Sequence, residues 1–398
     1  MSGQRPKRIL ISGWYGHGNT GDEALLRVFC REIRQRLDAD ITVLSENPDG
    51  VQLHHPDMEI KSVAHYPLFS LDGVQRLVRG DHAAMLDALR KADLFVLGGG
   101  SILRDNTTWR NFMRVTDELW LARLLGIPSA LYSVGVGPFR TSLGRWLAAR
   151  AARTCKVITV RDEASRDHLT DRGVAPDRID IVTDPAFLLP AQKPDGAAIG
   201  EALGTLLQTP EKLAFIYPAR LPADHAMSRD RAMGALARGL ERVRDQLGLK
   251  LVFIPMHAHG AHDDAAISRT LIDLMDNPVD THVLDRVLKP EAVKYLTRLP
   301  ALNICVRLHA FVFAAAEGRK ALAINYEPKV RNNARTFGVE KHVIDLDEKM
   351  DVVLAEKARH LIEQQSPYIP PDRITALTER AKIPFDRMAG LLNRDKGD

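Results

Sequence analysis

The sequence predicts an α/β protein built from two similar halves with a cleft between them. Short apolar runs that suit buried parallel strands alternate with amphipathic helical patterns along almost the whole chain. This alternation is typical of parallel sheets covered by helices on both faces. A chain of 398 residues is long for one hydrophobic core, and the Pro-, Gly- and polar-rich stretch Pro190–Gly196 interrupts the alternation. We therefore expect a domain at residues 1–190, a second at 197–370, and a C-terminal helix at 371–398 that packs back on the body.

The individual elements follow from periodicity, taken in chain order. Before the interruption, the predicted strands are Arg8–Ser12, Ile41–Ser45, Leu94–Leu97, Ala130–Val134, Val157–Val160 and Ile179–Val182, with helices at Glu23–Leu37 and Trp109–Leu125. After it, the predicted strands are Ala214–Tyr217, Lys250–Ile254, His282–Leu284, Ala301–Val306 and Ala321–Ile324. The predicted helices there are Arg231–Leu247, Ala265–Met275, one that begins at Ala310, and Thr375–Arg394.

Composition excludes several classes of protein. The net charge is only +4, from 55 basic and 51 acidic residues that are interspersed, so we expect no nucleic-acid partner. The three cysteines lie far apart in apolar segments and lack metal or redox spacing, which fits a reducing compartment. The chain contains no apolar run of transmembrane length, and the start lacks the apolar region of a signal peptide. We expect a cytoplasmic protein, with peripheral association at the inner face of a membrane left open.

Three cation-capable side chains follow two consecutive predicted strands in the second half. Arg307 and His309 come directly after Ala301–Val306, and Lys329 comes shortly after Ala321–Ile324. The carboxyl ends of strands are where open α/β sheets bind ligands, and the first turn of a helix favours an anion. The cluster therefore predicts a site for a small, multiply charged anion. Ordinary solvated charges are the alternative interpretation of Arg307 and Lys329.

A glycine-rich segment follows the first strand and contains a formal GxGxxG at Gly16, Gly18 and Gly21. This pattern keeps an NAD-dependent oxidoreductase as an alternative. However, Asp22 and Glu23 occupy the first helical turn, where they would repel a pyrophosphate. Thr20 together with Glu23 also matches a capping box, which is a purely structural use of the motif.

Two further glycine-rich stretches are predicted as turns that end strands: Gly98–Ser101 and Gly135–Pro138. Glycines allow a backbone to approach a ligand closely, although tight strand-to-helix turns need them as well. Three such turns at one sheet edge would form a shallow floor for a bulky polar ligand such as a sugar. The residues that we assign to acceptor binding on this basis are Asn19, Asp22, Gly100, Ser101 and Gly137. Arg161 follows the strand Val157–Val160 and adds a cation to the same edge.

The loop His257–Asp264 contains three histidines and two aspartates within eight residues. A zinc hydrolase could use such a cluster at a strand end. No remote second set of ligands accompanies it, and Asp263 and Asp264 also suit the N-cap and first turn of a helix. We therefore assign no metal site and expect the loop to line the cleft.

Taken together, these segments resemble the polysaccharide pyruvyltransferase family, which includes enzymes of cell-wall and exopolysaccharide pyruvylation. The resemblance spans about Ile9 to Val339 and rests on Gly18–Ala24, Gly98–Ser101, Gly135–Pro138, Val160–Asp162, Asp184–Phe187, Arg307–Ala310 and Tyr326–Val330. It implies a glycosyltransferase-B-like fold of two Rossmann-like domains that face each other across a cleft. The first domain would then bind the acceptor and the second the donor.

The resemblance also implies a reaction. The donor would be phosphoenolpyruvate, with no other cofactor, and the product a cyclic pyruvate ketal on a glycan or lipid-linked saccharide. Arg161, Arg307, His309 and Lys329 match the family's donor-binding and catalytic positions. Among them, His309 suits acid–base catalysis because histidine ordinarily titrates near neutral pH, and Arg307 suits bidentate binding of a carboxylate or phosphate.

Two rival functions fit the same architecture. A glycosyltransferase that uses a nucleotide sugar would need a ribose-binding acid in the second domain, and Glu327 is available for that role. A non-catalytic sugar-binding protein would have little use for four cations at one site. Phosphate release from phosphoenolpyruvate in the presence of a glycan separates these functions.

Overall fold

The computed structural model describes residues 5–66, 75, 79–106, 109–222, 227–258, 260 and 263–394. Their contacts divide into two compact units. The first unit contains the chain up to Gly18, Leu25–Pro185, and the chain from Glu379 onward. The second unit contains Asn19–Ala24 and Ala186–Thr378. The short segment Asn19–Ala24 therefore belongs with the second unit, although it lies near the start of the chain.

The first unit has a parallel sheet of seven strands within the described residues. The strands are β1 (Lys7–Ser12), β2 (Ala39–Ser45), β3 (Lys61–Ala64), β4 (Leu94–Leu103), β5 (Ser129–Val136), β6 (Val157–Val160) and β7 (Ile179–Ile181). Their order in the sheet is β3-β2-β1-β4-β5-β6-β7. In β1, Ile9 pairs with Ile41 of β2 on one side and with Leu94 of β4 on the other. Strands β5 and β6 are buried along their whole length, as expected for strands that are covered on both faces.

Helices alternate with these strands along the chain, as in a doubly wound α/β fold. They are α1 (Thr20–Arg36), α2 (Pro48–His54), α3 (Ala83–Lys91), α4 (Trp109–Leu124), α5 (Ser142–Ala152) and α6 (Glu163–Thr170), with short 3₁₀ turns at Pro176–Arg178 and Pro185–Leu188. From Leu25 onward, α1 belongs to this unit, where Phe29 packs against Tyr132 with ring centroids 5.2 Å apart.

The second unit has six parallel strands within its described part, in the order β10-β9-β8-β11-β12-β13. The strands are β8 (Leu213–Tyr217), β9 (Lys250–Phe253), β10 (Thr281–Val283), β11 (Leu302–Cys305), β12 (Ala321–Asn325) and β13 (Val343–Asp345). The helices are α7 (Gly196–Leu206), α8 (Arg229–Leu247), α9 (Asp264–Asp273), α10 (Pro290–Leu296), α11 (Leu308–Ala316), α12 (Pro328–Phe337) and α13 (Met350–Glu363), with 3₁₀ turns at Pro210–Lys212 and Glu340–His342.

The last helix, α14 (Pro371–Arg394), contributes to both units. Near its start, the Arg373 guanidinium donates to the carbonyl oxygen of Thr336 in the second unit, at 3.0 Å. Further along, Phe385 packs against Tyr132 of the first unit, with ring centroids 5.3 Å apart. The structure thus has the two parallel-sheet α/β units that the alternation predicts. Within the described residues, no helix combines the length and apolar character needed to cross a membrane.

Two predicted boundaries are wrong. Gly98–Ser101 is not a turn, because β4 continues through it to Leu103. The backbone of Gly98 lies against Tyr132, and a Cβ there would approach the Cβ and backbone oxygen of that residue too closely. The pairing of β4 with β5 shifts register between Gly100 and Leu103, as at a β-bulge. Gly98 therefore permits the close pairing of β4 with β5. Likewise, β5 extends to Val136 and includes Gly135.

Candidate active site

The cations of the second half lie where the sequence predicts them. β11 and β12 pair in parallel, with Cys305 opposite Ala323. Arg307 is the N-cap of α11, and His309 lies in the first turn of that helix. Lys329 lies in the first turn of α12, directly after β12. Because neighbouring strands are about 4.8 Å apart, the carboxyl ends of β11 and β12 bring these two helix N-termini side by side.

Arg307 is held by a carboxylate that is removed from solvent. Its Nε donates to Asp264 Oδ2 at 3.0 Å and its Nη2 to Asp264 Oδ1 at 2.6 Å. The Asp264 side chain is 0% exposed and that of Arg307 is 16% exposed. Burial raises the pKa of Asp264, while the Arg307 charge and its hydrogen bonds act in the opposite direction. The two-bond pairing fixes the plane of the guanidinium, as bidentate Arg–carboxylate pairs do.

The backbone N–H and carbonyl groups of Met256 connect this pair to the start of α1. The Met256 N–H donates to Asp264 Oδ2 at 2.9 Å. The Met256 carbonyl oxygen accepts from both the N–H and the hydroxyl of Thr20, each at 2.9 Å. Gly21, the next residue, lies against the imidazole of His309. The segment Asn19–Ala24 is thus part of the same neighbourhood as Arg307 and His309.

The capping box expected at Thr20 is wrong. Its hydroxyl donates to Met256, and the Glu23 N–H donates to the carbonyl oxygen of Asn19 at 3.0 Å. Asn19 takes the role of the cap instead, because its Oδ1 accepts from the Gly21 N–H at 3.3 Å. Its Nδ2 donates to Asp22 at 2.6 Å. Asn19 and Asp22, which we assigned to acceptor binding, therefore lie together within the second unit.

Lys329 has partners from its own loop. Its Nζ lies 2.8 Å from Glu327 Oε2 and 5.3 Å from the centroid of the Tyr326 ring. Both side chains of the ion pair are partly exposed, at 25% and 29%. An ion pair open to solvent is worth little, so Lys329 can exchange Glu327 for an anionic ligand at small cost.

Arg161 lies at the carboxyl end of β6 in the first unit. Its Nη1 is 2.8 Å from Asp184 Oδ2, and its Nε donates to the carbonyl oxygen of Ser133 at 2.7 Å. The side chains of Arg161 and Asp184 are 3% and 0% exposed. The buried Nη2 has no hydrogen-bond partner within the described residues. Donor binding by Arg161 stays a prediction, and Nη2 is the atom that we expect to contact the donor.

The remaining predicted acceptor residues lie in the first unit. Gly100 and Ser101 are inside β4, and the Ser101 side chain lies against Gly135 of β5. Gly137 follows β5 with a φ of 79°, a conformation that favours glycine. A Cβ at Gly137 would also meet the His168 ring at 2.5 Å. Acceptor binding by these residues stays a prediction.

The two carboxylates of the His257–Asp264 loop are engaged in other contacts than metal binding. Asp263 caps α9, with its Oδ1 accepting from Ala265 N at 2.9 Å and Ala266 N at 3.2 Å. Asp264 faces inward and binds Arg307. His259 and His262 lie outside the described residues. Among the residues that are described, no group of three or more His, Cys, Asp or Glu side chains is arranged to hold a metal ion.

Asp264 and Gly21 contact Arg307 and His309, and sequence reasoning predicted neither contact. Both were noticed, Asp264 as part of a helix start and Gly21 as part of a dinucleotide motif. The sequence signal for Asp264 is limited to its place in the first turn of a helix, next to the N-cap Asp263. The sequence contains no signal for the contact between Gly21 and His309.

Solved structures with a similar fold include UDP-GlcNAc 2-epimerases and a glycosyltransferase. A UDP-GlcNAc 2-epimerase from Methanocaldococcus jannaschii matches with a TM-score of 0.62 at 12% identity, over 97% of this chain and 99% of its own. A UDP-GlcNAc 2-epimerase from Neisseria meningitidis bound to UDP-GlcNAc matches with a TM-score of 0.58 at 11% identity, over 96% and 100%. A glycosyltransferase from Rickettsia africae matches with a TM-score of 0.59 at 10% identity, over 98% and 97%. The chain therefore has a glycosyltransferase-B-like fold.

The family of this chain follows from a comparison of its sequence with protein families. The sequence model for polysaccharide pyruvyl transferases matches residues 19–328. This chain belongs to the polysaccharide pyruvyl transferase family, as its motifs predict. No curated protein sequence matches it.

Proposed function

We propose that this protein transfers the pyruvyl group of phosphoenolpyruvate to hydroxyls of a saccharide. The observation that carries the proposal is the placement of Arg307 and His309 at one helix start, with Lys329 at the next. Phosphoenolpyruvate carries a carboxylate and a phosphate on one small skeleton. A guanidinium, an ammonium and two helix N-termini are suited to that charge distribution. Family membership supports the transfer of a pyruvyl group.

In the proposed reaction, an acid protonates the methylene carbon of phosphoenolpyruvate while a sugar hydroxyl adds to the neighbouring carbon. The C–O bond to phosphate then breaks, and a second hydroxyl of the same sugar adds to that carbon. The product is a cyclic ketal whose methyl group carries one of the two hydroxyl protons, and the other leaves with phosphate. Two hydroxyls are consumed and one phosphate is released, with no oxidation or reduction.

His309 is the proposed proton carrier, since it lies at the helix start beside Arg307 and histidine serves most often in this role. Arg307, whose guanidinium plane is fixed by Asp264, would orient the donor. Lys329 would leave Glu327 and neutralise the departing phosphate. These side chains supply the charge that the reaction needs, so we propose phosphoenolpyruvate as the donor without a resident cofactor.

The acceptor that we propose is a glycan or a lipid-linked saccharide precursor of a cell-wall or extracellular polysaccharide. Phosphoenolpyruvate is a cytoplasmic metabolite, and the interspersed charge gives no basis for a nucleic-acid partner. We therefore place the reaction in the cytoplasm, with peripheral binding at the membrane where the acceptor is lipid-linked.

Phosphate release tests this function. The protein is incubated with phosphoenolpyruvate and a panel of saccharides that contain galactose or amino sugars, and free phosphate is measured. We expect acceptor-dependent release that falls about 10²- to 10⁴-fold in His309→Asn, as for the loss of a general acid. His360→Asn is the matched control, because His360 is exposed on α13. Release that persists in His309→Asn would remove its role.

A glycosyltransferase that uses a nucleotide sugar is the second candidate. The observation that favours it is the fold shared with a structure bound to UDP-GlcNAc. Glu327, the acid available for a ribose, already pairs with Lys329. The same panel decides between the two candidates. No phosphate from any acceptor, together with thermal stabilisation by a UDP-sugar, would reject the pyruvyl transfer in favour of this function.

A further inference from the structure

The first turn of α1 lies directly on the imidazole of His309. A Cβ built on Gly21 would lie 2.5 Å from His309 Cγ and 2.9 Å from His309 Cβ, with Nδ1 closer still. Real Cβ atoms essentially never approach other heavy atoms to less than 3.0 Å. The ring therefore occupies the space in which any other residue at position 21 would place its side chain.

The backbone conformation does not explain this glycine. Gly21 is in the first turn of a helix and its φ is outside the left-handed range, so an L-residue fits its backbone. In a helix, alanine is ordinarily preferred to glycine. The constraint at position 21 is the space that the imidazole fills.

Neither side of the contact can yield easily. On one side, Thr20 holds the turn through two hydrogen bonds to the Met256 carbonyl oxygen, each 2.9 Å long. On the other side, His309 lies between Leu308 and Ala310, which are 7% and 0% exposed, so the start of α11 is fixed by its core packing. A side chain at position 21 would therefore displace the ring itself.

We infer that Gly21 is a positioning residue that sets the orientation of the His309 imidazole. With no side chain at position 21, the Nδ1 edge of the ring lies against α1. The inference rests on the proposed role of His309, and it gives the N-terminal Gly-Asn-Thr-Gly-Asp motif a function at the donor site. Catalytic geometry is sensitive to shifts of this kind, since a misplacement of about 1 Å costs roughly 10²-fold.

The Gly21→Ala variant tests whether the orientation of the His309 ring affects turnover. We expect kcat to fall about 10- to 100-fold while KM for phosphoenolpyruvate changes less than about threefold, because the proton carrier moves and the cations stay. Gly390→Ala is the matched control, since Gly390 is in the helix α14 and a Cβ there would meet nothing within 4 Å. We expect this control to keep the parent kcat. Parent kcat in Gly21→Ala would overturn the inference.

A double-mutant cycle tests the contact without using turnover. Gly21→Ala should lower the Tm by about 3–10 °C, the effect of overpacking a fixed contact. In a His309→Ala background the ring is absent and only the contact with the Cβ of residue 309, at 2.9 Å, remains, so Gly21→Ala should then lower the Tm by much less than in the parent. An equal loss of Tm in both backgrounds would show that Gly21 acts through another group and would reject the inference. The Tm coupling holds even where the pyruvyl transfer itself fails, so the two failures are distinguishable.

Discussion

Replacing Asp264 by asparagine isolates the ion pair that orients Arg307. Asparagine keeps the size of the side chain but has one acceptor oxygen and one NH₂ group. One of the two hydrogen bonds from Arg307 to residue 264 is then lost. The Arg307 N–H that made this bond faces the NH₂ group of the asparagine, which is also a donor. Asp264 is wholly buried, and removing one partner of a buried pair costs about 3–5 kcal/mol. Because Arg307 is 16% exposed and can be hydrated in part, we expect about 2–3 kcal/mol.

Two measurements check this magnitude. For a unit of about 150–250 residues, 1 kcal/mol corresponds to about 2–4 °C, so the Tm should fall by about 4–12 °C. In steady-state assays of phosphate release, the loss of one oriented charge-assisted contact to the donor should lower kcat/KM for phosphoenolpyruvate about 10- to 100-fold. A rise of KM should account for most of that loss, because Arg307 is proposed to bind the donor rather than to transfer a proton.

A surface pair provides the matched control. Arg269 Nη2 and Asp285 Oδ1 are also 2.6 Å apart, but these side chains are 57% and 74% exposed. Asp285→Asn should therefore change the free energy of unfolding by less than about 1 kcal/mol and leave KM unchanged. The reasoning is refuted by an Asp264→Asn variant with the parent Tm and KM, or by an Asp285→Asn variant that loses as much as Asp264→Asn.

Two more predictions concern metal removal and pH. Incubation with a chelator followed by gel filtration should leave acceptor-dependent phosphate release within about twofold of the parent rate, and metal-dependent recovery of a lost activity would contradict the cation-only site. His342 is buried beside Tyr368, and burial, Lys341 and Lys357 lower its pKa to about 4. The neutral form is favoured in the folded state, so its contribution to stability is present above about pH 6.5 and is lost as the pH falls towards 4. Urea unfolding at pH 7 and at pH 4.5 measures how much of the free energy of unfolding is lost between these two pH values. This loss should be about 1–2 kcal/mol smaller in His342→Phe than in the parent, allowing for solvent screening; equal losses in the two proteins would contradict the prediction.

The sequence predicted the strands that position the site because those strands are buried on both faces. Ala301–Val306 and Ala321–Ile324 differ from the observed β11 and β12 only at their ends. Strands without that pattern were missed. β3 (Lys61–Ala64) has no fully buried residue, and β13 (Val343–Asp345) is only three residues long. The extension of β4 through Gly98–Ser101 was missed because glycine is depleted in strands.

The contacts within the site could not be predicted from the sequence for a different reason. The helix start at Asp263 and Asp264 follows from local capping chemistry, and the structure confirms it. The partner of Asp264 is 43 residues away, and local periodicity contains no information about pairs at that separation. The same applies to Thr20, whose hydroxyl binds a carbonyl oxygen 236 residues further along the chain. A single sequence identifies which residues are at strand ends, but not which of them touch.

The position of Asn19–Ala24 changes how the N-terminal motif is interpreted. As a dinucleotide loop, its glycines would approach a pyrophosphate, and as an acceptor wall they would line the first unit. In the structure, this segment belongs to the second unit, where Thr20 binds Met256 and Gly21 contacts His309. Met256 in turn binds Asp264, which holds Arg307. The backbone of one residue, Met256, thus connects the two residues that we propose to transfer the proton and bind the donor. Because these contacts are coupled, substitutions at Thr20, Gly21 and Asp264 should show non-additive effects on donor turnover, whereas substitutions at Gly100 and Ser101 should not couple to them.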